Sequence, residues 1–291
     1  MRSSQALRSD QSATIHADLT NYWRDGYAIV RGFFGSSELR EISTALDQLY
    51  AEGIAHGRSF RHGNLFYNVA REREGSEPLV RMVQWPSYHQ MTMNRVRLDT
   101  RFAQLLEPLI GHDLKQIINQ VHWKAPGSLG DFAWHQDSRS RNPPSAYRNL
   151  ATAYVQTGLA IDPHRPESGC MRIIPRSHLR GDLSMDCSKK ALGTAMTDDA
   201  LEAVGLSEDE AIDLLLEPGD LALWSPYLVH GSGKNRSLHK RRLYINGYVR
   251  ARDCDRGEWA FRDGRPVSLG TKPALVHFEG LNERPGPHYT D

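Results

Sequence analysis

Apolar residues change their spacing partway along this chain, and that change restricts the fold more than any other feature of the sequence. In the first part they recur every three or four positions. Leu39, Ile42, Leu46 and Leu49 follow a helix start at Ser36-Ser37-Glu38. Phe102, Leu105, Leu106 and Leu109 share one face of a helix expected over Arg97–Ile110 and closed by Gly111. From residue 115 onward the runs are short, β-branched and apolar, with Gly, Pro and Asp between them. They are Gln116–Lys124, Ala151–Ile161, Cys170–Ile174, Ile212–Leu216, Leu221–Trp224 and Leu243–Val249, and Glu217-Pro218-Gly219-Asp220 makes a tight turn between two of them. Many short strands in series fold as a sandwich or barrel rather than a βαβ sheet. The expected architecture is therefore mainly β with flanking helices, a cupin-like jelly roll or double-stranded β-helix.

No repeat or linker divides residues 15–291, which are read as one domain. It comprises a helical flank over 15–114, the jelly-roll core over 115–250 and a C-terminal extension over 251–291 that packs over the barrel as a lid. A helical insertion is expected over Leu192–Glu210. Residues 1–14 are polar and irregular and are expected to be mobile. The 36 Lys and Arg against 35 Asp and Glu give a formal charge of +1. Such a balance does not suit broad electrostatic binding to nucleic acid or acidic membranes. No apolar stretch is long enough to span a bilayer, and the opening residues lack the apolar core of a secretory signal. Cys170, Cys187 and Cys254 form no CxxC pair and are expected as reduced thiols. These features predict a cytoplasmic protein whose partner is a small molecule.

The chemistry concentrates in Trp134-His135-Gln136-Asp137. In a strand, residues two apart face the same side, so His135 and Asp137 can hold one metal ion of the Fe(II), Zn(II) or Mn(II) kind. An HxD triplet alone is more often a surface feature or an ion pair. A second segment adds His230, which follows the apolar strand ending at Trp224 and opens His230-Gly231-Ser232-Gly233. A jelly roll folds distant strands onto opposite walls of one barrel, so the three residues can meet. Two imidazoles and one carboxylate leave open metal positions, the facial triad of non-haem Fe(II) oxygenases, where a chelating co-substrate and O2 can bind. Arg241, at the start of the next strand, could clamp the distal carboxylate of 2-oxoglutarate with help from the Ser232 hydroxyl. It could also be one more surface cation beside Lys234, Arg236, Lys240 and Arg242.

Four blocks in order resemble the phytanoyl-CoA dioxygenase-like family of Fe(II)/2-oxoglutarate oxygenases. They are Tyr22–Phe34 (YWRDGYAIVRGFF), Lys124–Ser128 leading into the His135 motif, Glu167–His178 (ESGCMRIIPRSH), and His230–Ser237 with Arg241. The resemblance implies a dioxygenase that hydroxylates or otherwise oxidises a small molecule, releasing succinate and CO2. It implies iron at His135, Asp137 and His230, and 2-oxoglutarate at Arg241 and Ser232. Gln136 and Gln120 sit where relatives contact the co-substrate. Lys124 is another such position, or a surface residue at the strand end. The acidic ligand Asp137 is present, unlike in related halogenases. Gly158 stands where relatives often carry an aromatic, which would enlarge the pocket or alter its packing. Arg176 replaces a turn glycine, and a type I turn would tolerate it.

Substrate contacts are sought in Phe66, Tyr67, Trp85, Tyr88 and His89, which alternatively pack the flank onto the barrel. Arg139, Arg141 and Arg148 could bind an anionic substrate or form a solvated loop. His112, His122, His164, His178 and His239 are read as packing or surface histidines. The rivals to an oxygenase are a non-oxidising metal-binding jelly roll and a Zn(II) cupin hydrolase, neither of which needs Arg241.

Overall fold

The computed structural model describes residues 19–128, 130–185, 191, 192, 194, 196–271, 274 and 284–290. The expected mobile N-terminus, Cys187 and most of the segment after 274 lie outside the described residues. Fifteen strands run among the described residues. They are β1 (Tyr27–Val30), β2 (Phe60–His62), β3 (Leu65–Ala70), β4 (Leu79–Gln84), β5 (Leu114–Lys124), β6 (Phe132–His135), β7 (Tyr154–Ala160), β8 (Met171–Ile173), β9 (Ile212–Asp213), β10 (Leu221–Trp224), β11 (His230–Ser232), β12 (Arg241–Arg250), β13 (Glu258–Arg262), β14 (Arg265–Pro266) and β15 (His288–Tyr289).

One large antiparallel sheet has the order β1-β10-β7-β12-β5-β4-β3-β2-β15, with β13 on β5 and β14 on β13; a small one has the order β6-β11-β8-β9. The centre of the large sheet and the small sheet enclose the barrel, a jelly roll. Alternation along β12 shows how the core divides. Leu243, Ile245 and Val249 point inward to pack with Trp224, Ile118 and Met171, whereas Tyr244 and Tyr248 point outward into a separate cluster with Phe102, Val121 and Leu46. Helices α1 (Thr20–Asp25), α2 (Ser36–His56), α3 (Met91–Arg97) and α4 (Thr100–Ile110) belong to the flank and supply that outer cluster. In α2 the expected stripe is buried as Ile42, Leu46 and Leu49. Its start is closed by Glu38, whose carboxylate accepts from the Gly35 N–H at 2.8 Å.

Four expectations change. The flank is not wholly helical: β1 to β4 extend the large sheet, because edge strands of three to six residues carry too few alternations to announce themselves. The helix expected over Arg97–Ile110 begins later, since Asp99 accepts from the Arg101 N–H at 2.9 Å and starts α4 afresh. The insertion over Leu192–Glu210 holds only the short helix Asp199–Glu202 and a 3-10 turn at Glu208–Glu210 among its described residues. The described part of the C-terminal extension is not a separate lid: β13 adds to the edge of β5 through Glu258↔Gln116 and Trp259↔Lys115, and Leu269 packs against the inner apolar cluster.

Arg176 departs from the type I expectation too, with φ +67 in the left-handed region. Its N–H donates to Asp25 O at 2.8 Å, tying the turn to the end of α1. A side chain there costs about 1 kcal/mol or more relative to glycine. Arg176→Gly is expected to raise the melting temperature by about 2–4 °C, read by scanning calorimetry; a lower melting temperature would mean that the guanidinium makes a compensating contact.

Candidate metal centre and co-substrate cavity

His135 ends β6 and His230 begins β11, and the two are direct cross-strand partners. Their ring centroids lie 4.2 Å apart. Asp137 follows in a 3-10 turn, pinned by Ser138 N–H to Pro226 O at 3.0 Å. Asp137 Oδ2 is 3.8 Å from His230 Nε2, and ligand atoms of all three residues lie within 4.8 Å of one another. Each imidazole is oriented by its own backbone: Nδ1 of His135 meets Ala133 O at 2.7 Å and Nδ1 of His230 meets Leu228 O at 2.9 Å. A carbonyl only accepts, so Nδ1 carries the hydrogen and both Nε2 lone pairs are left for a metal. Burial and the neighbouring His230 push the His135 imidazole down to about 3. Burial by itself would raise the Asp137 carboxyl, but His230, Arg141 and His135 outweigh it and hold the group below the ordinary carboxylate range. Trp224 Nε1 donates to Asp137 Oδ2 at 2.8 Å and fixes its plane. This donor set, two imidazoles and one carboxylate with free positions beside them, fits a divalent transition metal.

The same cavity, about 90 Å³, is walled by Gln120, His122, Phe132, Gln156, Ser232 and Arg241 besides the metal-site residues. Arg241 is 3 % exposed, donates to Gly169 O and leaves Nε with no partner. It makes no ion pair with a carboxylate among the described residues. Burial brings its pKa down to about 10. Its cross-strand partner is Lys124, 2 % exposed, which donates to Ser232 Oγ at 2.8 Å, Ser232 O at 3.1 Å and Gly233 O. Lys124 is therefore not a surface residue. Because its ammonium occupies a lone pair of Ser232 Oγ, the serine hydrogen remains available to an acceptor in the cavity. Two adjacent buried cations with no ion-paired carboxylate among the described residues are costly. They fit a cavity that receives an anion such as the distal carboxylate of 2-oxoglutarate.

Gln120 lines the cavity; Gln136 does not. Next to His135 on the strand, Gln136 faces the other way, donating to Gly181 O at 2.8 Å and Tyr227 O at 2.6 Å and accepting from Leu183 N–H at 2.9 Å. Its amide is spent on the backbone, so the co-substrate contact expected for it does not fit this geometry. Gly158 does not enlarge the pocket either. A Cβ there would meet Trp224 Cζ3 at 3.0 Å, so the missing side chain makes room for the indole that holds Asp137.

Of the substrate candidates, Phe66, Tyr67, Trp85, Tyr88 and Arg139 line no part of this cavity. Tyr67 is buried under α2 with its hydroxyl on Glu52 at 2.7 Å, and Phe66 stacks on Arg61. His89 pairs with Glu52 on the surface at 2.8 Å. Tyr88 donates to Glu258 at 2.6 Å, and it and Trp85 join the inner apolar cluster. Arg148 pairs with Asp255 on the surface, but Arg141 is buried. The wall residues His122, Phe132 and Gln156 were not foreseen. Period-two alternation along β5 carries the signal for one of them, since Gln120, His122 and Lys124 share a face.

Burial, reinforced by Arg241 and Lys124, pushes the His122 imidazole down to about 3, and the fully buried His164 also falls well below its ordinary value of 6.5. The unfolded chain takes up protons that the folded chain refuses. Their contribution to stability is complete above pH 6.5 and is lost as the pH falls, for His122 down to about 3. The expected loss is about 1.4 kcal/mol per pH unit for each imidazole inside that window. Urea titrations between pH 7 and 4 should show the His122→Asn variant losing less stability than the parent; equal losses would contradict the assignment.

A jelly roll that brings two imidazoles, a carboxylate and an arginine with no carboxylate partner among the described residues into one cavity defines a mononuclear metalloenzyme with an anion site. Residues 22–243 match the family model described as "Phytanoyl-CoA dioxygenase (PhyH)". The dioxygenase lolE1 of Epichloe uncinata is 26 % identical over 250 residues, covering 84 % of this chain and 86 % of its own length. A probable alpha-ketoglutarate-dependent hypophosphite dioxygenase of Stutzerimonas stutzeri is 25 % identical over 239 residues, covering 79 % and 77 %. Among solved structures, EctD from S. alaskensis with 2-oxoglutarate and 5-hydroxyectoine superposes with a TM-score of 0.61 at 18 % identity, covering 92 % of this chain and 89 % of that one. The chain belongs to the phytanoyl-CoA dioxygenase family, and it is a dioxygenase of the Fe(II)/2-oxoglutarate-dependent class.

Proposed function

We propose that the enzyme hydroxylates, or otherwise oxidises, a C–H bond of a small polar molecule, consuming 2-oxoglutarate and O2 and releasing succinate and CO2. His135, Asp137 and His230 hold the iron. Arg241 holds the distal carboxylate of 2-oxoglutarate, with the Ser232 hydroxyl and the Gln120 amide beside it. Iron with bound 2-oxoglutarate supplies the oxidising equivalent. The protein's part is to orient and exclude. The Nδ1–H bonds of the two histidines keep Nε2 aimed at the metal, Trp224 keeps one Asp137 oxygen occupied, and Lys124 keeps the Ser232 hydrogen turned to the cavity. Leu243, Ile245, Met171 and Phe132 give the remaining wall an apolar surface that limits water near the reacting bond.

The observation that carries this reading is Arg241, a buried guanidinium in the cavity of the metal triad with no carboxylate partner among the described residues. A small polar substrate is supported by the hypophosphite of one relative and the 5-hydroxyectoine bound to another. The test is anaerobic: Fe(II) and then 2-oxoglutarate are added to the metal-free protein and the visible spectrum is recorded. A charge-transfer band that needs both additions is expected. If none appears while Zn(II) binds tightly, the oxygenase reading is wrong.

A further inference from the structure

We propose that the end of the cavity remote from Arg241 binds an anionic group of the substrate, such as a carboxylate or phosphonate, through the Gln156 amide held by Tyr154 and Arg141. The proposal rests on the reading above, which assigns the Arg241 end to 2-oxoglutarate. Arg241 and Gly247 stand six positions apart on β12, roughly 20 Å along an extended strand. Gln156 is the register partner of Gly247 on one side and of Trp224 on the other. Arg241 and Gln156 thus mark two ends of one cavity.

Hydrogen bonding orients the amide at that end. Arg141 Nη2 donates to Tyr154 Oη at 2.7 Å, and Tyr154 Oη donates in turn to Gln156 Oε1. A guanidinium only donates, so the tyrosine hydrogen is left for the glutamine oxygen, and Gln156 must present Nε2 elsewhere. That nitrogen has no protein partner among the described residues, and the side chain forms part of the cavity wall. Gly247 makes the arrangement possible, because a Cβ there would collide with both Tyr154 Oη and Gln156 Oε1.

Arg141 adds charge. It is 3 % exposed, its guanidinium lies 4.9 Å over the Tyr154 ring, and Nε has no partner. It forms no ion pair among the described residues, and the carboxylate charge it faces is that of Asp137. When that carboxylate serves a metal it no longer offsets the guanidinium alone, and an anion nearby would be favoured. Ile245 and Trp224, between donor and metal site, offer apolar contact to a short carbon skeleton.

The experiment uses the full chain, anaerobic and saturated with Fe(II) and 2-oxoglutarate, so that the Arg241 end is filled. Propionate, methylphosphonate and the uncharged propionamide are titrated in, following the visible band. Both anions should bind at least tenfold more tightly than propionamide, and Arg141→Met and Gln156→Leu should each weaken the anions at least tenfold without changing the 2-oxoglutarate titration. Equal binding of propionamide and propionate, or anion binding unchanged in both variants, would overturn the proposal. If Arg141→Met fails to fold, Gln156→Leu decides, since it leaves the Arg141–Tyr154 bond in place. A band that never forms removes the oxygenase reading and this proposal with it; a band without anion preference removes this proposal alone.

Discussion

Arg241→Met is expected to weaken 2-oxoglutarate binding by roughly 100-fold or more while leaving Fe(II) affinity unchanged. Truncating one partner of a buried, hydrogen-bonded charge pair typically costs about 2–5 kcal/mol. Here little else could compensate. Lys124 already donates to Ser232 and Gly233, and Ser232 is a neutral donor. Arg241→Lys should recover only part of the loss, because an ammonium lacks the planar fork that meets both carboxylate oxygens. Gly169 supports the same clamp: its carbonyl accepts from Arg241, and a Cβ at this position would lie 2.5 Å from Gly233 O. Anaerobic titration of the charge-transfer band measures the affinity directly. A variant within threefold of the parent would remove Arg241 from the co-substrate site.

Asp137→Ala is the second large effect. It deletes the only carboxylate of the triad, and metal affinity should fall by about two orders of magnitude or more, since two imidazoles alone neither neutralise the ion nor complete the face. Trp224→Phe leaves the ligand in place but loses the 2.8 Å bond that orients it, together with the packing of the indole over Gly158, and a smaller drop of about 10-fold is expected. Calorimetric titration with Co(II) separates the two. Metal binding to the folded form alone also raises the melting temperature. Chelation should therefore lower that of the parent and leave that of Asp137→Ala where it was. Equal Co(II) affinity in parent and Asp137→Ala would mean that the ion binds elsewhere.

Much of the site was legible without coordinates because its logic is local. His135 and Asp137 need only a strand and a two-residue step. His230, Ser232 and Arg241 follow in two short segments whose apolar flanks announce strands. Gln136 shows the limit of such reading. Proximity to a ligand in sequence placed it with the co-substrate, yet one step along a strand reverses the face, and the backbone of the 181–183 and 227 segments claims its amide. The aromatic candidates lie away from the metal cavity for a related reason. Phe66, Tyr67, Trp85 and Tyr88 are amphipathic residues in irregular or short segments, and pattern alone does not tell a wall of the cavity from the packing between a flank and a barrel.

The chain by itself determined the change of period that makes a barrel, the metal-ligand types and their order, and the arginine that opens β12. These depend on spacing and side-chain chemistry, which neighbours in space do not alter. Tertiary structure alone decided that β1 to β4 extend the large sheet and that Arg241 meets no carboxylate among the described residues. It also made Trp224 fill the space left by Gly158, and joined Arg141, Tyr154 and Gln156 into one hydrogen-bonded line. Each of those outcomes depends on which strands pair and in what register. A one-residue shift in pairing would turn every one of these side chains to the other face.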